Sequence, residues 1–467
     1  MNYSEDQKRI FEFISKDTRN GKVQAVAGSG KTFTIVNSIK LFDPMDKILF
    51  LAFNKHIATE LEAKVTCEVR TVNGLGYHLF RKYNKGFYKI DAAKVRNIIA
   101  FDIFDGDFKK SGKYLKVVPQ IISLLKANML EPDNFHGIAE HHGIDLPDKV
   151  EEVLQKAWDL QSQYTQSKKI DFDDQVYLPV INGWGNKEYD LVFVDEAQDL
   201  NPVMLDLIDM VAKRVIFVGD DKQAIYGFRG ADSKAMDTIA SKFETVELPL
   251  HTCYRCPKNV VKEAQKIVPY IKSFDEQIDG EVVTIQVKDF DPQDSDLVIC
   301  RTNAPLVKSC FEIIRKGKKA TVKGRDIGQN LIDLIGQIPK GKDIGDFLEN
   351  LDTYLNTQIK KLRNNENAIV AVEDKVETIR VVADKCNTVS EIESFINKIF
   401  SDGNTTGVLH CSIHRAKGLE NGNVFILRPD LMPHPKCEQE WAQTQEMNLK
   451  YVAITRAQRK LIYVEGK

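Results

Sequence analysis

No charge of either sign dominates this 467-residue chain: 65 Lys and Arg stand against 67 Asp and Glu, for a formal net charge of −2. A globally basic nucleic-acid binder is thereby excluded, and such a partner would have to be held by a local groove. Long apolar runs are also lacking. None reaches the ~20 residues that a membrane-spanning helix needs, and the opening MNYSE leads into a charged amphipathic helix rather than a signal peptide. The eight cysteines are scattered. Cys253 and Cys256 form a lone C-x-x-C without the second pair or spaced histidine that zinc requires, and they read as ordinary reduced thiols. His136, His141 and His142 fall in a Gly/Pro-punctuated stretch and read as solvated loop residues. These absences point to a reduced, soluble, intracellular chain without a membrane partner. It is expected in the cytoplasm of a bacterial or phage-infected cell, and in the nucleus if the host is eukaryotic. At this length roughly two to four domains are expected rather than one.

What is present is organised around residues 23–36, VQAVAGSGKTFTIV. A short apolar run, a Gly-Ser-Gly turn and an amphipathic run bearing Ile35, Val36 and Ile39 are the sequence form of strand, phosphate loop and helix. Each residue type has a task there. Ala27, Gly28, Ser29 and Gly30 let backbone N–H groups curl around phosphates, and the helix N-terminus adds its dipole. Lys31 supplies a charge for the β and γ phosphates, and the Thr32 hydroxyl can ligate Mg²⁺. Ala25 stands where the usual pattern begins with glycine.

Upstream, SEDQKRIFEFI reads as a helix N-capped by Ser4, with Gln7 on its first turn offering both a donor and an acceptor to the edge of adenine. Downstream, KILFLAF is a strand buried on both faces, and the β-α-β-α succession implies a doubly wound parallel sheet with ligands at the strands' carboxyl ends. Phe53, Asn54 and Thr71 occupy such ends; core packing is the alternative for Phe53. In YDLVFVDEAQDL, Asp195 and Glu196 directly follow four apolar residues. Adjacent charges ending a buried strand are costly unless a cation is near, so one carboxylate suits Mg²⁺ and the other the attacking water. RVIFVGDDKQAIYGFRGA places Gln223 to sense a γ-phosphate, while Tyr226 and Phe228 suit either base stacking or packing under their loop.

The ordered set AVAGSGKT, VDEAQD, GDDKQAIYGFRGA, LPLHTCYRCP, VICRTN, VLHCSIHRAKGLE and NLKYVAITRA resembles the UvrD/Rep/PcrA-like superfamily 1 DNA helicases, from Gln7 to Ala457. LAFNKHIA and VGDDKQAIYGFRGA are most similar to the F-box helicase branch and its phage or bacterial relatives. The resemblance implies an α/β fold with two RecA-like motor domains, parallel sheets flanked by helices with inserted helical subdomains. It also implies an ATP- and Mg²⁺-dependent motor on single-stranded DNA and single/double-strand junctions, moving 3′→5′, with replication or recombination proteins as the class of partner. By position it assigns Gln7 to adenine, Tyr254 to stacking on that ring and Glu420 to the ribose. Thr32 and Asp195 would hold Mg²⁺, Glu196 would serve hydrolysis, and Arg255 and Arg456 would be arginine fingers on the γ-phosphate. Phe53, Asn54, Thr71, Tyr226, Phe228 and His414 would touch DNA. Phe33 departs from the pattern: many relatives carry an arginine against adenine there, whereas a ring can only stack.

The same resemblance divides the chain into a first motor domain at 1–82 and 170–247 and a helical insertion at 83–169. A second motor domain follows at 248–338 and 405–467, with a short inserted subdomain at 339–404. Lys109, Lys110, Lys113 and Lys116 of the first insertion read equally as phosphate contacts or as a solvated loop. Two other classes use the same motor: a DNA-dependent ATPase that clamps DNA or displaces proteins without unwinding, and the motor subunit of a helicase–nuclease. The eleven residues after Arg456 are too few for a nuclease domain, so cleavage would fall to a partner.

Overall fold

The computed structural model describes residues 3–43, 45–52, 54–142, 144–225, 235–362, 366–401, 407–437 and 440–466. The chain forms two compact units, Met1–Val26 with Gly30–His251, and Ala27–Ser29 with Thr252–Lys467.

In the first unit six parallel strands, β1 (Gly21–Ala25), β2 (Ile48–Ala52), β3 (Glu68–Thr71), β4 (Leu191–Val194), β5 (Val215–Gly219) and β6 (Val246–Leu250), lie in the order β3-β2-β4-β5-β1-β6. Helices α1 (Glu5–Lys16), α2 (Lys31–Ile39), α3 (Lys55–Glu62) and α4 (Val72–Tyr83) belong to this unit. The continuous apolar runs follow from a sheet covered on both sides: Leu49, Leu51, Val192, Val194 and Phe217 enter one core, and Phe50, Phe193, Ile216 and Val218 the other. The first unit runs on to His251 instead of ending at residue 247, because β6 pairs in parallel with β1 from Gly21↔Val246 to Ala25↔Leu250. Asp6 Oδ2 accepts from His251 N at 3.0 Å.

The first insertion has its own core around α5 (Val117–Ala127) and α6 (Val150–Gln166), with Val118, Ile121, Leu125, Val153 and Leu154 buried together. Its two ends meet as a parallel pair, Lys89–Ile90 against Lys169–Ile170. A buried ion cluster fastens it to α7 (Asp174–Ile181): Lys94 and Lys126 both pair with Asp174, the latter at 2.8 Å, and Lys126 also reaches Gln161. Charges this deep are tolerated only because each completes the other's shell, so removing one partner leaves an uncompensated ion.

The main sheet of the second unit has seven parallel strands among the described residues, β7 (Glu281–Gln286), β8 (Leu297–Cys300), β9 (Ala320–Lys323), β10 (Phe400–Ser401), β11 (Val408–Ser412), β12 (Asn421–Leu427) and β13 (Ala457–Glu465), in the order β7-β13-β12-β8-β11-β9-β10. Helix α8 (Ala304–Arg315) follows β8. Residues 339–404, read as an inserted subdomain, supply α9 (Ile344–Leu362), α10 (Glu366–Ala383) and α11 (Val389–Ile399). Their Phe347, Leu351, Val376, Ile379, Ile392 and Ile396 share one core with Val298, Leu306 and Val307. The segment therefore packs as a layer of this unit and shares its core. The last long helix is α12 (Glu440–Ile454). Parallel sheets with helices on their faces in both units are the fold class expected from the sequence. Among the described residues no helix is long and apolar enough to cross a membrane.

Candidate nucleotide site and neighbouring strand ends

The glycines of the loop between β1 and α2 are required by backbone conformation: Gly28 has φ 67° and Gly30 φ 78°, in the left-handed region. Gly30 is the N-cap of α2 and has no side chain to offer, so the first N–H groups of the helix receive no side-chain cap. Those donors and the helix dipole make an anion site. Ser29 is buried at 1% exposure and its Oγ has no hydrogen-bond partner among the described residues. An orphaned buried hydroxyl in a left-handed loop fits a phosphate oxygen.

The ends of β4 and β5 complete the near surroundings. Lys31 Nζ lies 3.3 Å from Glu196 Oε1, and Thr32 Oγ1 donates to Asp195 Oδ2 at 2.8 Å. Asp195 is buried; burial, with Glu196 beside it, pushes its pKa up to about 6. Glu196 is held at φ 52°, a left-handed conformation uncommon outside glycine, and Gln198 Nε2 donates to its Oε2. Gln198 Oε1 accepts from Asp220 N at 3.0 Å, and Gln223 Nε2 donates to Asp220 Oδ2 at 2.7 Å. Asp220 is also pushed up to about 6, chiefly by burial, while Lys31 opposes the shift. Lys31, Thr32, Asp195, Glu196 and Gln223 thus belong to one polar network. Asp220 and Gln198 were missed as its connecting members. Their signal was present, since both lie within the quoted strand-end motifs, but only β4–β5 pairing shows that they meet.

Among the described residues no group of three or more His, Cys, Asp and Glu is arranged to hold a metal. A hydroxyl and a carboxylate at Thr32 and Asp195 are nevertheless hard oxygen donors of the type that suits Mg²⁺, which usually takes its remaining ligands from water and substrate phosphates.

Gln7 is almost fully buried and already engaged. Its Oε1 accepts from Ser4 N at 3.1 Å, forming a capping box on α1, and its Nε2 donates to Thr34 Oγ1 at 3.2 Å. Phe33 is 39% exposed, with the Tyr3 ring 6.2 Å away.

In the second unit Arg255 pairs with Glu420, whose other oxygen accepts from Gln458 Nε2 at 2.9 Å. The Tyr254 ring lies 5.0 Å from that of Phe274. Arg456 differs from Arg255: it is 1% exposed, donates to the carbonyls of Val452 and Leu419 at 2.8 and 3.2 Å, and reaches Thr455 Oγ1 at 3.1 Å. Cys253 and Cys256 are buried free thiols, and Cys253 Sγ accepts from Cys256 N at 3.4 Å.

Of the residues expected to touch DNA, Phe53, Tyr226 and Phe228 lie outside the described residues. Asn54 and Thr71 stand at the carboxyl ends of neighbouring strands, β2 and β3, whose register pairs Ala52 with Thr71. Both are helix N-caps: Asn54 Oδ1 accepts from Ile57 N and Thr71 Oγ1 from Gly74 N, each at 3.0 Å. His414 is half-buried in a short helix, Ile413–Ala416.

Comparison with known proteins gives two family matches, the UvrD/REP helicase N-terminal domain over residues 4–244 and the UvrD-like helicase C-terminal domain over residues 229–465. "F-box DNA helicase protein 1" of Schizosaccharomyces pombe is 25% identical, covering 98% of this chain and 57% of that protein. "ATP-dependent DNA helicase Rep" of Buchnera aphidicola is 26% identical over 57% of this chain and 43% of that protein, and "ATP-dependent DNA helicase PcrA" of Staphylococcus epidermidis is 25% identical over 53% and 38%. The chain spans about half the length of the relatives it matches.

Proposed function

The chain belongs to the UvrD-like helicase family, and from that premise we propose that it is an ATP-dependent DNA helicase or translocase moving 3′→5′ on single-stranded DNA. The observation that carries the reading is the Lys31–Glu196 and Thr32–Asp195 pairing beneath an uncapped helix N-terminus. Lys31 holds Glu196 by charge in this structure. A triphosphate in the loop would compete for Lys31, leaving the Glu196 carboxylate, oriented by Gln198, to take the proton of the attacking water. Gln223, fixed on Asp220, would report the γ-phosphate. Mg²⁺ held by Thr32 and Asp195 would supply charge neutralisation of the phosphate oxygens. Gln7 and Tyr254 would recognise the adenine, Phe33 would stack near it, and Glu420 would meet the ribose. Arg255 and Arg456 would serve as fingers on the γ-phosphate. Asn54, Thr71 and His414, together with Phe53, Tyr226 and Phe228, would touch DNA.

Partial duplexes with a 3′ or a 5′ single-stranded tail test the reading. Displacement of the strand from the 3′-tailed duplex alone, dependent on ATP, is expected. ATP hydrolysis stimulated by DNA without strand displacement would assign the chain instead to translocation or protein displacement, and displacement from the 5′-tailed duplex alone would reverse the polarity.

A further inference from the structure

Gln7 of α1 and Thr34 of α2 stand 27 positions apart and meet in a chain of hydrogen bonds that can run in one direction only. Both side chains are 3% exposed. The Thr34 hydroxyl donates to Gly30 O at 2.9 Å, a carbonyl that also accepts from Thr34 N at 2.8 Å. A hydroxyl carries one hydrogen, so with that hydrogen spent on Gly30 the Thr34 Oγ1 can only accept. It accepts from Gln7 Nε2 at 3.2 Å. The other end of the amide is set as firmly, because Gln7 Oε1 faces Ser4 N, which can only donate, at 3.1 Å.

The Gln7 amide therefore has one permitted orientation, carbonyl toward Ser4 and amine toward Thr34. Turned over, it would set donor against donor at Ser4 and acceptor against acceptor at Thr34, in a buried place where unmade bonds are costly. Neither helix needs the link for its own start. Ser4 and Gln7 complete the capping box of α1, and Thr34 bonds back to the N-cap of α2. The link does place the amide against the phosphate loop: a Cβ on Gly30 would lie 3.8 Å from Gln7 Nε2. Each end of an amide has capacity for a second bond, so an N–H and a lone pair remain for a ligand, in an order that the protein has already chosen.

We infer that Thr34 is the positioning residue that makes this nucleotide site choose adenine over guanine, by holding the Gln7 amide in that order. Adenine offers a matching edge, with an amino group that donates and an N7 that accepts. Guanine offers two acceptors there, O6 and N7, so the fixed Oε1 would face O6. An unheld amide could turn its amine to O6 and take either base. Phe33, 39% exposed, cannot make this choice, because every base has a face to stack. The inference rests on the proposed reading of Gln7 as the residue that meets adenine.

Steady-state hydrolysis of ATP and of GTP by the full chain, each with single-stranded DNA, tests it. The quantity compared is the ratio of the two kcat/KM values, in which any loss of folded protein cancels. The parent is expected to favour ATP roughly 5- to 100-fold. Thr34→Val keeps the shape without the hydroxyl and is expected to lose most of that preference, through a raised KM for ATP rather than through kcat. Thr34→Ser restores the hydroxyl and is expected to keep the preference, whereas Gln7→Ala should lose it. A ratio for Thr34→Val within twofold of the parent's, with the preference lost in Gln7→Ala, overturns the inference and leaves the reading of Gln7 standing. Equal losses in Thr34→Val and Thr34→Ser also overturn it. A parent indifferent to the base, or a Gln7→Ala variant that keeps the parent's preference, removes the reading of Gln7 and this inference together.

Discussion

At the carboxyl end of the first unit's sheet, β4 and β5 deliver Asp195, Glu196 and Asp220 around Lys31, and two of those acids are pushed up to about 6. At the corresponding end of β8 in the second unit, Arg301 is gripped by Glu446 of α12 at 2.7 Å, with Glu446 2% exposed. Beside it, Asp374 of α10 accepts from Asn303 N, Asn303 Nδ2 and Ala304 N at 2.6–3.0 Å, capping α8 from another element. Both sheets end in charge. In the second unit those charges are satisfied by the protein itself, Arg301 by Glu446 and Asp374 by three N–H donors, while in the first the acids crowd one lysine next to an uncapped helix start. Polar groups at strand ends can therefore serve stability or a ligand, and the difference lies in whether the protein completes their shells.

Arg255 is the second unit's exception. Its pair with Glu420 is partly exposed, at 22% and 44%, so it contributes little to stability and can exchange for another anion. Arg255→Ala should accordingly lower ATP turnover roughly 10³- to 10⁵-fold in steady-state assays while barely moving the unfolding midpoint. A loss of folding comparable to the loss of rate would break the distinction. Glu196→Gln should reduce turnover about 10²- to 10⁴-fold and still bind nucleotide in equilibrium titration, because the glutamine keeps the shape but not the base. Glu446→Gln inverts the pattern: leaving Arg301 buried without its carboxylate should cost about 3–5 kcal/mol in denaturant unfolding of the second unit, with DNA-stimulated turnover retained below the transition.

The smallest expected effect concerns His410, fully buried on β11 with Nε2 3.0 Å from Ser309 Oγ and Nδ1 without a hydrogen-bond partner among the described residues. Burial pushes its pKa down to about 4. The folded state therefore binds fewer protons than the unfolded one between about 6.5 and 4, and stability is lost as pH falls through that window. The loss is of order 3 kcal/mol at its full extent. His410→Gln should unfold with a shallower pH dependence there, by circular dichroism melts at successive pH values.

How far the sequence reaches follows the same division. Phosphate loop, strand-end acids and parallel sheets were legible because short-range spacing and apolar runs encode them. Other features depend on long-range pairing, which spacing does not encode. Asp374 caps α8 from 70 positions away, Lys94 and Lys126 converge on Asp174, and β6 closes on β1 so that the first unit extends to His251. Gln7, Asn54 and Thr71 show another limit. Each was readable as a ligand contact, and each also serves its own helix, since a polar side chain near a helix start satisfies backbone donors or acceptors whether or not a ligand is bound. Arg456 read as a finger by position, and its buried bonds to backbone carbonyls were not visible in the motif that contains it.

The most direct test is ATP hydrolysis measured with and without single-stranded DNA for the parent chain and for Lys31→Ala. The parent should hydrolyse ATP faster when DNA is present, and Lys31→Ala should lose hydrolysis by roughly 10²-fold or more in both conditions. Equal hydrolysis by the Lys31 variant, or a parent rate indifferent to DNA, would contradict the assignment of the first unit's strand ends to a DNA-coupled nucleotide site.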